Sequence, residues 1–201
     1  MDPRSVVLYT VYPQLDALGI DGRARLLGAF ASIQSEADDL ASNAIEHYRQ
    51  LGIEADDGLL AEHALNQGIQ YGRTLHELRQ SVVNLLAVGL HHQFTGHRDQ
   101  LKRILRARKE AWPAVESFIS WPRVDELRLL TNAVKHGDSA DLRQVRPDYF
   151  IHPSMRDEVS SRVGAPVWNA MGGTEVFVTE ADLETYSDAL RAFWEEFLEA
   201  I

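Results

Sequence analysis

The stretch Trp121–Gly137, WPRVDELRLLTNAVKHG, decides how the chain reads. Pro122 stands where a helix begins and Gly137 where one ends, because proline suits the first helical turn and glycine the left-handed residue just past the last. At 100° per residue, Leu127, Leu129, Leu130, Ala133 and Val134 make one apolar face. Asp125, Arg128, Asn132, Lys135 and His136 fall within about 100° on the opposite side. The spacing therefore predicts an amphipathic helix whose outer stripe holds an acid, two cations, an amide and an imidazole. Such a stripe is what a solvated helix face normally looks like, so the remaining chain decides whether it does more.

Working outward, the periodicity is helical almost everywhere. Asp21 is placed to cap a helix to about Leu51, with Leu26, Phe30, Ile33, Ala37, Leu40, Ala44 and Tyr48 at three- and four-residue steps. A second helical pattern starts near Asp56 or Asp57 and continues to about Ala111. A break is expected at Thr95-Gly96, a weak helix former followed by glycine, and an end by Pro113. Residues 139–143 predict one further turn. Thr179-Glu-Ala-Asp182 resembles a capping box that opens a last helix. Its stripe is Leu183, Tyr186, Leu190, Phe193, Phe197, Leu198 and Ile201. Two parts read differently. Residues 1–20, with Val6, Val7, Leu8, Tyr9, Val11 and Tyr12, suggest a short strand or extended N-terminal arm broken at Pro13. Residues 147–178 read as an ordered loop region, with a short strand at Glu175–Val178 and Tyr149, Phe150, Ile151 and Trp168 needing burial. The expectation is one all-α domain over residues 1–201 with small β or coil additions.

Composition narrows the function. The 201 residues are 45% hydrophobic and 25% charged, and contain no cysteine, which rules out disulfides and thiolate chemistry. No secretory n- and h-region precedes the body and no apolar run is long enough to span a bilayer, so a soluble cytoplasmic protein is expected. A formal charge of −10 argues against broad nonspecific nucleic-acid binding. The basic concentration is Arg98–Lys109, RDQLKRILRARK, where Arg98, Lys102, Arg106 and Lys109 recur as a helical stripe. A solvated face is the default for it, and a phosphate-facing stripe the sharper alternative.

Chemistry is sparse. His91, His92 and His97 lack a ligand spacing with helical geometry and a carboxylate partner, so no metal site is expected, and no cofactor. Gly172-Gly173 lacks the strand–helix context of a phosphate loop, and no GxSxG motif is present. Arg128, Asn132 and His136 remain, at i, i+4 and i+8 along one helix edge. His136 lies in the last turn, where the helix dipole favours its protonated form, so it is expected to titrate near neutral pH or above. An imidazole beside a guanidinium has the parts for phosphoryl chemistry: one exchanges a proton, the other holds developing negative charge.

Leu127–His136 (LRLLTNAVKH), Leu142-Arg-Gln-Val-Arg-Pro147 and the terminal Tyr186…Phe193-Trp194 together resemble bacterial HEPN-like proteins over roughly Asp57 to the C-terminus. That resemblance implies a HEPN-like helical bundle and a metal-independent endoribonuclease. Arg128 and His136 would be its catalytic pair and Asn132 the accompanying polar residue. Two subunits would bring their motifs together in a homodimer cleft. It further implies RNA as the partner and a role as a toxin or phage-defence effector, in some cases restrained by an antitoxin such as a nucleotidyltransferase; Lys102 and Arg106 of the basic stripe and Lys135 of the polar stripe are the candidate RNA contacts. The family spacing between arginine and histidine is shorter than the seven residues Leu129–Lys135 that separate them here. Arg146 and His152 stand closer, but Pro147 and a loop-like context set that pair aside. The competing reading is a HEPN-like fold without catalysis, an interaction module whose polar stripe is a salt-bridged surface.

Overall fold

The computed structural model describes residues 2–51, 57–137, 139–153, 155–156 and 175–201. Among them there are helices and no strand. The contacts divide the chain into two compact units, residues 1–24 with 83–201 and residues 25–82.

The first departure from expectation is at the N-terminus, which is helical and not an extended arm. Asp2 caps α1 (Pro3–Val6) by accepting from the Ser5 amide at 3.1 Å. A wide π-type turn (Val7–Val11) leads into α2 (Tyr12–Asp16), and a second (Ala17–Gly22) into α3 (Arg23–Gly28). Pro13 falls in the first turn of α2, where its missing N–H costs least. The apolar residues explain the outcome: Val7, Val11 and Leu15 recur every four residues and are buried as one helical stripe. Burial of that stripe overrides the strand preference of its valines.

In the larger unit, where the short α7 (Ala140–Val145) follows α6 (Trp121–His136), the core is built on α8 (Glu180–Ala200). The capping box forms as its sequence suggests: Thr179 Oγ1 accepts from the Asp182 amide at 3.2 Å, and Asp182 accepts from the Thr179 amide at 2.9 Å. Leu183, Tyr186, Leu190, Phe193 and Phe197 are buried at alternating three- and four-residue steps, joined by Trp194. Phe193 is the centre of an aromatic cluster, with Phe94, Trp194 and Phe118 at ring distances of 5.0, 5.0 and 5.4 Å. Edge-to-face geometry at Phe94 and Trp194 sets positive ring edges against negative faces.

Helix α5 (Asp57–Ala107) runs through Thr95-Gly96 without the expected break. Thr95 Oγ1 donates back to the His91 and His92 carbonyls at 3.0 and 2.9 Å, within the helix. Phe94, His97, Leu101 and Leu105 on either side are buried. One exposed glycine costs about 1 kcal/mol against alanine, less than that burial contributes. The helix ends at Ala107, short of Ala111, and Lys109 takes a left-handed φ of 61° just beyond.

The expected helix from Asp21 is divided. Residues 29–32 turn between α3 and α4 (Ile33–Gln50), and Ser32, not Asp21, stands at the N-cap position of α4. In the smaller unit α4 packs closely on the first part of α5. A Cβ at Gly68 would stand 2.7 Å from the Ala37 carbonyl oxygen, so only glycine fits that approach.

Residues 175–179 form no strand. Their backbone polar groups are satisfied elsewhere: Asn84 donates to the Val176 carbonyl at 2.7 Å and accepts from the Val178 amide at 3.3 Å, while the Phe177 amide donates to the Tyr149 carbonyl at 2.7 Å. Pro147–Phe150 is a 3-10 turn that buries Tyr149 and Phe150. Trp168 and Gly172-Gly173 lie outside the described residues. No helix is long and apolar enough to cross a membrane among the described residues.

Candidate functional site

Helix α6 (Trp121–His136) begins and ends as its sequence indicates, with Pro122 in the first turn and Gly137 at φ 82° closing the last. Ahead of it, Glu196 of α8 accepts from the Ile119 and Ser120 amides at 2.6 and 3.0 Å. Those hydrogen bonds hold its carboxylate below the usual range despite the opposing effect of burial. Leu127, Leu129, Leu130 and Ala133 are buried, while Val134 is partly exposed. Arg128, Asn132, Lys135 and His136 are all exposed. The structure therefore places the predicted site residues of α6 together, on its solvent side.

Arg128 is already engaged. Its Nε donates to Asp125 Oδ1 at 2.7 Å and its Nη2 to Asp125 Oδ2 at 3.3 Å. These hydrogen bonds raise the guanidinium above its ordinary value and fix the plane of the fork. The two other basic residues predicted for RNA, Lys102 and Arg106, lie on α5. Lys102 Nζ sits 5.1 Å over the Trp112 ring, a cation–π contact, and Arg106 is exposed in the last turn.

The residue of α5 that does relate to α6 is His91. It is partly buried, and its titration is pushed down to about 4 by burial and by the positive groups around it, His92, Lys135, Arg98 and Arg128. His91 and Arg98 are seven residues apart on α5, as Arg128 and Lys135 are on α6, so each pair shares a helix face. The His91 Nδ1 and the Arg98 Nε are buried with no hydrogen-bond partner. Arg98 keeps a long ion pair to Asp99 at 3.7 Å, and its guanidinium lies over the buried Phe94 ring, 6.0 Å from the centroid. His97 points elsewhere, hydrogen-bonding Gln14 at 2.9 Å, and burial lowers its titration. Among the described residues no group of His, Asp or Glu is arranged to hold a metal ion.

Behind the exposed stripe lies a polar cluster that periodicity does not reveal. Glu126, only 5% exposed, accepts from Arg123 at 2.6 Å, Arg146 at 2.7 Å and the Tyr186 hydroxyl at 2.8 Å. Arg146 also donates to Asp148, Asp182 and the Tyr149 hydroxyl, at 2.9, 3.0 and 2.7 Å. The Tyr149 and Tyr186 hydroxyls meet at 2.8 Å. Burial disfavours charge on Arg146, but bonds to Asp148 and Asp182 more than offset it and raise its affinity for the proton. Burial raises both tyrosines, so both stay neutral donors. The cluster joins α6, the Pro147–Phe150 turn and α8, and so fixes the orientation of the stripe. Arg146, which pairs with His152 in sequence spacing, is thus committed to the interior.

Compared with protein-family models, with curated proteins and with solved structures, the chain matches none of them.

Proposed function

We propose that the chain is a HEPN-like, metal-independent endoribonuclease whose reacting groups are Arg128 and His136, assisted by Asn132. The observation that carries this reading is the shared solvent exposure of Arg128, Asn132, Lys135 and His136 on a helix whose other face is locked in the core. An exposed stripe of that kind is open to a nucleic-acid strand and to a second copy of the chain.

In this reading the His136 imidazole takes the proton from a ribose 2′-hydroxyl. The 2′-oxygen attacks the adjacent phosphorus and the bond to the 5′-oxygen breaks, leaving a 2′,3′-cyclic phosphate and a 5′-hydroxyl. Arg128 stabilises the charge on the non-bridging oxygens through its Nη1, since Asp125 occupies Nε and Nη2. Protonation of the leaving oxygen needs a second acid, which a homodimer supplies as the other copy's equivalent imidazole. Such an enzyme acts as a toxin or phage-defence effector, and a neutralising antitoxin such as a nucleotidyltransferase would be its partner.

The test compares wild type with Arg128→Ala and His136→Ala. Wild type is expected to slow growth on expression and to degrade mixed RNA in EDTA, and both variants to lose both effects. Intact RNA with all three proteins, with equal growth, refutes cleavage. The Arg128–Asp125 pair favours a second reading, an interaction module with a salt-bridged surface. That reading expects a co-purifying partner retained by both variants.

A further inference from the structure

We infer that the seam between α5 and α6 binds the backbone phosphates of a single-stranded RNA, with Arg98 and Lys135 as the charged contacts and His91 as a hydrogen-bonding partner. This rests on the RNA reading above but concerns residues that have no part in the bond-breaking step.

Three observations converge. The first is charge: in a chain of formal charge −10, Arg98, Arg128 and Lys135 all act on one imidazole. Their acidic neighbours leave cationic capacity over. Asp125 takes two of the Arg128 nitrogens, and Asp99 reaches Arg98 only at 3.7 Å, beyond a hydrogen bond, while itself remaining 62% exposed. Lys135 is exposed near the C-terminal end of α6.

The second observation is desolvation. The His91 Nδ1 and Arg98 Nε have left water and gained no hydrogen-bond partner in the chain, Asp99 reaching that Nε only as a long ion pair. Each such group is costly, and buried polar atoms are normally paired. With Nδ1 enclosed, Nε2 is the His91 nitrogen left for an incoming ligand. A neutral imidazole donates one hydrogen bond to a phosphate oxygen without adding to the repulsion among the cations.

The third is geometry. The basic stripe of α5 begins at Arg98, and the polar stripe of α6 ends at Lys135 and His136. A strand held at Arg98 and Lys135 is led onto the stripe that carries Arg128 and His136. Lys102, which the sequence suggested for this role, is turned onto Trp112.

The experiment uses the full chain and a fluorescein-labelled 2′-O-methyl decauridine, which cannot be cleaved. Binding is followed by anisotropy across a salt series. Arg98→Gln and Lys135→Gln are each expected to weaken binding roughly tenfold and to reduce the log–log salt slope by about 0.7, the value for one lost single-strand phosphate contact. Arg73→Gln, an exposed cation on the smaller unit paired to Glu77, is the control expected to leave both unchanged. In a histidine NMR titration, bound RNA is expected to move His91 upward from its low value, a change that a purely structural role would not produce. Circular dichroism and melting checks on both variants establish that they fold. Undiminished binding and salt slope in folded Arg98→Gln and Lys135→Gln overturn the inference. Displacement of the RNA by low-millimolar inorganic phosphate does so as well, since the site would then be one for the free ion. Seam-dependent binding by a wild type that leaves ordinary RNA uncut sustains the inference and refutes the nuclease reading alone.

Discussion

At the scale of single residues, the largest energetic stake lies with Glu126. Its carboxylate has three donors and almost no solvent, so removing it strands Arg146 with less compensation. Breaking a buried pair costs about 3–5 kcal/mol, and Asp148 and Asp182 still hold Arg146, so Glu126→Ala is expected near the lower end. Urea denaturation measures this, and Glu126→Gln, which keeps shape and an acceptor for Tyr186, is expected to lose less. His91 supplies the pH dependence. Its folded titration near 4 lies below the ordinary histidine value, so between those two points the unfolded chain binds the extra proton. Stability from this group is therefore complete above about 6.5 and is lost as pH falls towards 4. Asp182, held low by Thr179 and Arg146 against the effect of burial, adds a further loss at more acidic pH. A series of thermal melts should show the transition temperature falling from pH 7 to 4, with a shallower fall in His91→Gln.

At the scale of elements, two glycines on α5 carry opposite expectations. Gly96 is exposed within the helix, and a Cβ there meets nothing within 4 Å. Gly96→Ala is expected to stabilise by about 0.5–1 kcal/mol, the helix-propensity difference. Gly68 faces the Ala37 carbonyl at 2.7 Å from its would-be Cβ, with the Ala41 methyl at 3.1 Å. Backbone cannot yield as a flexible side chain does, so Gly68→Ala is expected to destabilise by about 1–3 kcal/mol. Paired denaturation curves of the two variants check both signs. The continuity of α5 and the helical N-terminus share one lesson. Local signals at Thr95-Gly96 and Pro13 are worth little against a row of buried apolar side chains such as Phe94, Leu101, Val7 and Val11. Where the local signal and the stripe agree, as in α6 and α8, element and boundary are both legible.

At the scale of the whole molecule, an acidic chain gathers Arg98, Arg128 and Lys135 around one imidazole, and the RNA-binding inference depends on that contrast. The helical class, the capping box at Thr179–Asp182, the closure of α6 by Gly137 and the side of α6 that faces the core are all legible in the sequence. These follow from contacts within about one helical turn, which periodicity encodes directly. That Glu126 meets Arg146, 20 residues on, and Tyr186, 60 residues on, came from the packing of the folded chain. The same packing decided that His91 on one helix feels the charges of Arg128 and Lys135 on another, and that Lys102 lies over Trp112. Those pairings depend on which faces of distant helices come to lie against each other. A helical period states only how one face is composed.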